Sequence, residues 1–357
     1  VLIVTSASGD ENAWPTTSAN ALREGYEQRK ERFVAQQLEQ KFAPPRVGVL
    51  HRPNFKAPVD GTLKRARASK GITFSRTFTR DTSARALLLL SEGRDMDRAN
   101  QLFGEVCRFY LDCDVKHLVN KDSFYWATES YLHLYHKFSS RGRLRPGALT
   151  PETERAFLAM IWRYVQNSKL TPMELLELGK KHDGYWYDSS ENHWCMEVVT
   201  LWSFCEILAD LPEYKDRRLP SRKTPGEMAA YLTDYLKIYI RGRAAKGFLT
   251  EIASGGYNSR MLAMFSIIQD YAKDRRLREM ARDIQDLYWA FWAEEEIAGE
   301  RGGGIVRNRS WKGLIPGKVS IASLAWMYLG VGKENTNAAA MIINMLCSSY
   351  YPSDIVL

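Results

Sequence analysis

Ten stretches of helical periodicity follow one another from about Asp95 onward, and they constrain the fold more than any other feature of the chain. Within each stretch, apolar residues recur at three- and four-residue spacing, which places them on one face of a helix. The stretches are 97–112, 122–138, 152–166, 172–181, 192–210, 225–241, 258–273, 276–297, 319–330 and 336–349. Strand-like alternation is nearly absent, so the sequence predicts an all-α fold.

The loops between these helices indicate how the helices are arranged. Most loops are short, which makes neighbouring helices antiparallel hairpins that stack as an open solenoid or close into an α/α toroid. No fixed-period repeat of the tetratricopeptide or HEAT kind is present,. Longer polar loops, at 182–191, 242–257 and 299–318, come between every second pair of helices. Because such alternating loops gather at one end of a ring and form a cleft there, we predict an α/α toroid.

The first 95 residues have a different pattern, rich in charge and in turn residues. Prolines break any long element between Ala43 and Gly61, and one helix is predicted from Ala21 to Phe42,. The basic stretch from Lys64 to Arg85 is predicted to wrap over the rest of the protein. We therefore divide the chain into an irregular N-terminal arm or extension, 1–95, packed on a toroid domain, 96–357.

The charge of the chain suits an anionic partner. Lys and Arg number 50 against 42 Asp and Glu, which gives a formal net charge of +8. Nucleic acid, an acidic polysaccharide or a membrane surface would each fit this excess, and so would an ordinary soluble surface. No apolar stretch approaches the roughly 18–20 residues that span a bilayer, so a membrane-spanning protein is not expected,.

The first nine residues bear on the compartment of the protein. Val1 to Gly9 run from apolar to small residues, which resembles the end of a signal peptide and predicts a secreted or periplasmic protein,. A short N-terminal strand or arm explains the same residues. The five cysteines contain no C-x-x-C pair, which argues against a zinc ribbon or a thioredoxin-like site,. They are predicted to be buried free thiols, although one disulfide is possible.

An Asn-His pair, Asn192 and His193, stands at the predicted start of a helix, directly after Ser189 and Ser190. Either serine is a good N-cap, and the first helical turn attracts an anion through its N–H groups and the helix dipole. A bound carboxylate could accept a hydrogen bond from Asn192, and His193 could act as a general base at neutral pH. Alternatively, Asn192 helps to cap the helix and His193 satisfies a backbone carbonyl.

A second helix start carries Tyr257 and Arg260, three residues apart and therefore on one helix face,. The preceding Gly255-Gly256 pair predicts an irregular turn that presents Tyr257 as the next helix begins. A cation beside a phenol favours the phenolate, so Tyr257 could pass a proton in either direction. Glu251 could orient His193 or Arg260. The alternative is a turn with a buried hydroxyl and a surface salt bridge.

The third segment, Gly299 to Lys312, combines three consecutive glycines with Arg307 and Arg309. It lacks both nucleotide-phosphate signatures, but arginine matches carboxylates as well as phosphates. It is either a binding loop for a polyanion or a solvated loop. Aromatic residues near these loops are predicted to stack on sugar rings, although most aromatic residues in such a chain belong to the core; they include Tyr187, Trp194 and Trp126,.

Together, the Asn-His pair, the Glu-x5-Tyr motif of Glu251 and Tyr257, and the Gly-Gly-Gly…Arg loop resemble the α/α-toroid polysaccharide lyases, and most closely polysaccharide lyase family thirty-eight. The resemblance covers roughly residues 95–350 and implies cleavage of a polyuronate such as alginate or glucuronan by β-elimination. It implies that Asn192 neutralises the uronate carboxylate, that His193 and Tyr257 form the base and acid pair, and that Arg260 or Arg307 assists. Many such lyases carry a β-sandwich after the helices, and none is predicted within residues 1–357.

This reading predicts a lyase that acts on an acidic polysaccharide, needs no metal or other cofactor and does not bind nucleic acid. Two alternatives remain. A toroid glycoside hydrolase needs two carboxylates, which Asp183, Asp188, Glu191 and Glu251 could supply,. A non-catalytic helical scaffold could bind RNA or another polyanion through Lys64–Arg85 and Arg301–Lys312. His133 and His136 have no acidic partner in sequence and are expected to pack on a helix rather than bind a metal.

Overall fold

A computed structural model describes most of the chain from residue 18 onward. The described residues are 18–44, 76–118, 124–187, 190–246, 248–249, 254, 256–297, 300–301, 320–336, 338–354 and 356. Within them the protein is all-α, as predicted, apart from a two-residue antiparallel pairing of β1 (Glu296–Ile297) with β2 (Glu300–Arg301).

The helices begin and end close to the predicted positions from residue 96 onward. They are α1 (Ala19–Glu39), α2 (Arg76–Glu92), α3 (Met96–Asp112), α4 (Val115–Leu118), α5 (Thr128–Phe138), α6 (Pro151–Asn167), α7 (Pro172–Lys181), α8 (Glu191–Ala209), α9 (Pro225–Ala245), α10 (Asn258–Tyr271), α11 (Arg275–Glu295), α12 (Ser320–Leu329) and α13 (Ala339–Cys347). A single 3-10 turn, Phe124–Ala127, leads into α5. The predicted N-terminal helix corresponds to α1.

Helix α2 was not predicted, and it corrects the expectation that Lys64–Arg85 wraps over the surface. The part of that stretch from Arg76 to Arg85 lies in α2, whereas 64–75 falls outside the described residues. Leu87 to Leu90 are almost completely buried, as are Thr79, Thr82 and Ser83. Most of the described side chains of α2 are therefore packed in the core, and its consecutive leucines do not show the three- and four-residue spacing by which helices were predicted,.

The core is continuous through the described helices, and the order of contacts is simple. Helix α8 packs on α9 and α10 on α11, as the loops between them predict, and the unpredicted α2 packs on α3. A second series of contacts runs from α2 to α5, from α5 to α8, from α8 to α10 and from α10 to α13, and α13 contacts α2. Helix α1 packs on α12. The N-terminal helices are therefore part of the same packed structure as the later ones.

Local sequence signals explain several helix starts. Thr224 and Glu227 form a reciprocal capping box around Pro225 at the start of α9, with bonds of 2.8 and 3.3 Å,. The Asp274 side chain accepts a hydrogen bond from the Leu277 backbone at the start of α11. All five cysteines are free, as predicted, but only Cys107, Cys195 and Cys205 are buried, whereas Cys113 and Cys347 are partly exposed. None of the described helices combines the length and the apolarity needed to cross a bilayer.

Candidate functional site

A cavity of about 520 Å³ lies between the end of α1, α2, the 3-10 turn and the starts of α10, α12 and α13. Its volume is within the range of roughly 300–1,000 Å³ that is usual for small-molecule sites. Three of the predicted site residues line it, namely Trp126, Tyr257 and Arg260. The structure therefore brings the aromatic residue before α5 together with the Tyr-Arg pair that begins α10.

Tyr257 is held at the cavity by a tight turn. The Ser254 carbonyl accepts hydrogen bonds from the backbone N–H groups of Tyr257 and Asn258, both at 3.2 Å. The carbonyl of Gly256, in the same turn, accepts hydrogen bonds from the hydroxyls of Ser259 and Ser320 at 3.0 and 3.4 Å. The bond from Ser320 connects the turn to α12. Tyr257 remains partly exposed. The predicted presentation of this phenol at a helix start is thus observed.

Arg260 is buried, and its charge is offset within the protein. Only 5% of it is exposed, and its Nη1 lies 3.4 Å from Oε1 of the equally buried Glu129, in the first turn of α5. Burial lowers the pKa of Arg260 to about 10 and raises the pKa of Glu129,. The charge of each residue opposes these shifts, because it favours the ionised form of its partner. The guanidinium carbon lies 5.1 Å from the centre of the Trp126 ring,. Arg260 therefore fixes Trp126 and the start of α10.

His193 lies against the same tryptophan but is not among the described residues that line the cavity. Its ring centre is 5.7 Å from that of Trp126, and its Nδ1 is 2.9 Å from the hydroxyl of Tyr125. The imidazole is partly exposed. Trp126 is thus the common neighbour of His193 and Arg260, and the Tyr125 hydroxyl fixes the orientation of the imidazole.

Asn192 is completely buried. Of the two serines predicted as N-caps, Ser190 occupies that position, but its hydroxyl donates to Oδ1 of Asn192 rather than accepting from the backbone. The adjacent Glu191 is also buried and lies 3.1 Å from Nη1 of the buried Arg243, an ion pair that anchors the start of α8. In this conformation the Asn192 amide does not reach solvent, so contact with a substrate would require movement of the first turn of α8.

The other predicted binding residues are distributed differently. Tyr187 packs against Arg243, with 5.1 Å between its ring centre and the guanidinium carbon. Trp194 is 6% exposed, and its Nε1 donates to the Tyr235 hydroxyl at 2.7 Å, so it belongs to the core and does not offer a face to a sugar. Three further predicted residues lie outside the described part of the chain: Glu251, Arg307 and Arg309.

Sequence analysis missed the N-terminal contribution to the cavity. Lys41, Arg80, Asp81 and Arg85 line it, from α2 and from the segment after α1. With Arg260, the described lining has four cationic side chains and one carboxylate. Arg80 and Arg85 lie in the basic stretch that the sequence singled out, so a signal existed. Its position in a core helix was the missing information.

Two further histidines, His133 and His136, lie in the later part of α5 and do not line this cavity. His133 Nδ1 is 2.6 Å from the Tyr271 hydroxyl, and the His136 ring stacks on Tyr271 with centres 4.1 Å apart. Both histidines therefore pack on their helix, as expected. Throughout the described ranges there is no group of three or more His, Cys, Asp or Glu residues placed to hold a metal ion.

These two histidines predict acid sensitivity. Burial, with help from Arg143 and Lys273, lowers the pKa of His136 to about 3, and burial also lowers the pKa of His133. Below a pH of about 6.5 the unfolded chain takes up protons that the folded protein does not, so stability falls as pH falls. We expect the free energy of unfolding in urea to decrease between about pH 7 and pH 5, and to decrease less in His136→Phe. The control is His182→Gln, at an exposed site, which should keep the pH dependence of the wild-type protein. If the free energy of unfolding of His136→Phe falls as steeply with pH as that of His182→Gln, the expectation is wrong.

Comparison with known proteins gave no match, whether against family models, curated proteins or solved structures.

Proposed function

We propose that this protein is a polysaccharide lyase that cleaves a uronate-containing polymer, such as alginate or glucuronan, by β-elimination. One observation carries the proposal: a partly exposed tyrosine, Tyr257, lines a cavity whose described walls hold four cationic side chains against one carboxylate. Such a site attracts an acidic ligand and offers it a proton-transfer group.

We further propose that the helices form an α/α toroid. The support is the series of contacts from α2 through α5, α8, α10 and α13 back to α2. Outside this series α3, α9 and α11 pack on α2, α8 and α10. A closed series of inner helices, three of the five covered by an outer helix, fits a toroid better than an open stack of hairpins,.

The chemistry follows from charge. Removal of the C5 proton of a uronate beside its carboxylate creates an enolate-like dianion. The C4–O4 bond then breaks, a C4–C5 double bond forms, and the departing O4 takes up a proton. Cationic groups on the cavity stabilise the developing charge, which is often the largest contribution to catalysis. Tyr257 is the lining group proposed to exchange a proton with the sugar. His193, oriented by Tyr125, does not line the cavity, and it completes the proposed acid and base pair if the polymer extends past Trp126.

The described carboxylates favour a lyase over a glycoside hydrolase. A hydrolase needs two carboxyl groups facing one glycosidic bond. Asp81, the one described carboxylate on the cavity, is 2.7 Å from Arg80 Nε. Glu191 is buried against Arg243, and the exposed Asp183 pairs with Lys246 at 3.0 Å. None of these three forms a facing pair with another carboxylate across the cavity.

Incubation with alginate, glucuronan and glycosaminoglycans tests the proposal. We expect ultraviolet absorbance to rise as unsaturated uronate ends appear, with at least one of these polymers. New reducing ends without that absorbance would identify a hydrolase instead. Binding without either product would indicate a non-catalytic scaffold for polyanions, and the lyase assignment would then be wrong.

A further inference from the structure

We propose that Arg85 and Lys41 form a second anion subsite in the cavity, so that the protein recognises a ligand with at least two acid groups. This inference rests on the proposed function for the identity of the ligand, a stretch of consecutive uronates. It adds a specificity site on a wall formed by α1 and α2, which the family resemblance did not include.

Within the part of the chain that the structure describes, two of the four cationic side chains that line the cavity form ion pairs with carboxylates, and two do not. Arg260 is paired with Glu129, and Arg80 with Asp81. Arg85 and Lys41, by contrast, form no ion pair with a carboxylate of the described residues, and the charge of Arg85 is balanced only by the longer-range attraction of Asp95. Arg85 donates instead to the backbone carbonyls of Gln37 and Leu38, which are dipoles and leave its positive charge in place. An anion entering the cavity therefore meets its excess positive charge at Arg85 and Lys41.

The structure also fixes Arg85 in position. Its two acceptors are carbonyls in the last turn of α1, and its guanidinium carbon lies 5.8 Å from the centre of the Phe42 ring. Helix α1 is in turn held by Arg29, which donates to the carbonyls of Met327 and Tyr328 at 2.9 and 3.1 Å. A guanidinium already ordered in this way binds an anion at a lower entropic cost than a mobile surface side chain.

The consequence is a preference for chain length. One acid group of the ligand binds near Tyr257, where elimination occurs, and a neighbouring acid group binds at Arg85 and Lys41. A single uronate can occupy only one of these places. We therefore expect an acidic tetrasaccharide to bind much more tightly than a free uronic acid, and a neutral tetrasaccharide to bind weakly.

Equilibrium binding in a Tyr257→Phe background tests this without turnover. The probes are alginate and glucuronan tetrasaccharides, free glucuronate and cellotetraose, measured by titration calorimetry. We expect Arg85→Gln to weaken binding of the acidic tetrasaccharide by about tenfold, as for the loss of a charge-assisted hydrogen bond. It should also weaken the lower affinity for glucuronate, because a single uronate meets the same excess charge, and it should leave cellotetraose binding unchanged. Arg85→Lys should retain most of the affinity, and Lys41→Gln should show a smaller loss of the same kind.

The matched control is Arg163→Gln. Arg163 also donates to carbonyls at a helix end, those of Tyr110 and Leu111 in α3, but it does not line the cavity. Tetrasaccharide affinity within about twofold of the parent in Arg85→Gln would overturn the proposal, as would a parent that binds glucuronate as tightly as the tetrasaccharide. If Arg85→Gln does not fold, the exposed Lys41→Gln decides. Selective binding in this background, together with no elimination product from the protein that retains Tyr257, would refute the lyase and leave the subsite standing.

Discussion

Tyr257→Phe is expected to reduce turnover of the polyuronate by about 10²–10⁴-fold, the usual contribution of a general acid or base. The substitution removes one phenolic oxygen from a partly exposed residue and retains the ring that packs against the core. Circular dichroism and the free energy of unfolding should therefore stay close to wild type. Initial rates of absorbance increase at saturating polymer measure the effect.

The control for Tyr257→Phe is Tyr214→Phe. Tyr214 is another partly buried tyrosine, and it does not line the cavity. Its ring centre lies 5.4 Å from that of Trp162, and the guanidinium of Arg217 lies over its ring. We expect Tyr214→Phe to retain wild-type turnover. Near-normal activity in Tyr257→Phe would remove the proton-transfer role from this residue and leave His193 as the remaining described candidate.

Most of the helices could be predicted from the sequence, including α8 and α10, whose residues are mostly buried. From α3 onward, spacing of apolar residues located each long helix within a few residues of its observed ends. The method failed at α2, because Leu87 to Leu90 are consecutive and buried and so show no amphipathic period,. That failure also hid the site, since Arg80 and Arg85 belong to the same helix and reach the cavity only because it is packed in the core.

Some features of the candidate site depend on residues that are adjacent in sequence, and others depend on contacts between residues far apart in sequence. The Gly-Gly turn and the helix start that present Tyr257 are local, and the sequence predicted them. The partners are distant: Glu129 is 131 residues from Arg260, and Tyr125 is 68 residues from His193. The burial of Asn192 could not be predicted from the sequence either, because an amide in the first turn of a helix can be buried or exposed.

Arg260→Met is expected to lower the free energy of unfolding by about 3–5 kcal/mol. Arg260 and Glu129 are 6% and 1% exposed at their side chains, so removing the cation leaves a buried carboxylate without its counter-charge. The matched surface control is Arg275→Met, which breaks an exposed pair with Glu279 at 2.8 Å and should leave stability close to wild type,. Urea denaturation measures both.

The pH dependence and a second substitution distinguish loss of this pair from loss of packing. Burial already raises the pKa of Glu129, and the loss of Arg260 raises it further,. The folded variant then holds a proton that the unfolded chain releases above a pH of about 4.3, so its stability falls as pH rises through that range. The deficit of Arg260→Met should be largest near neutral pH and shrink on acidification, and Glu129→Gln should restore much of the stability in the Arg260→Met background. A deficit that is independent of pH and unaffected by Glu129→Gln would instead mean that Arg260 stabilises the start of α10 by packing on Trp126, with its charge contributing little.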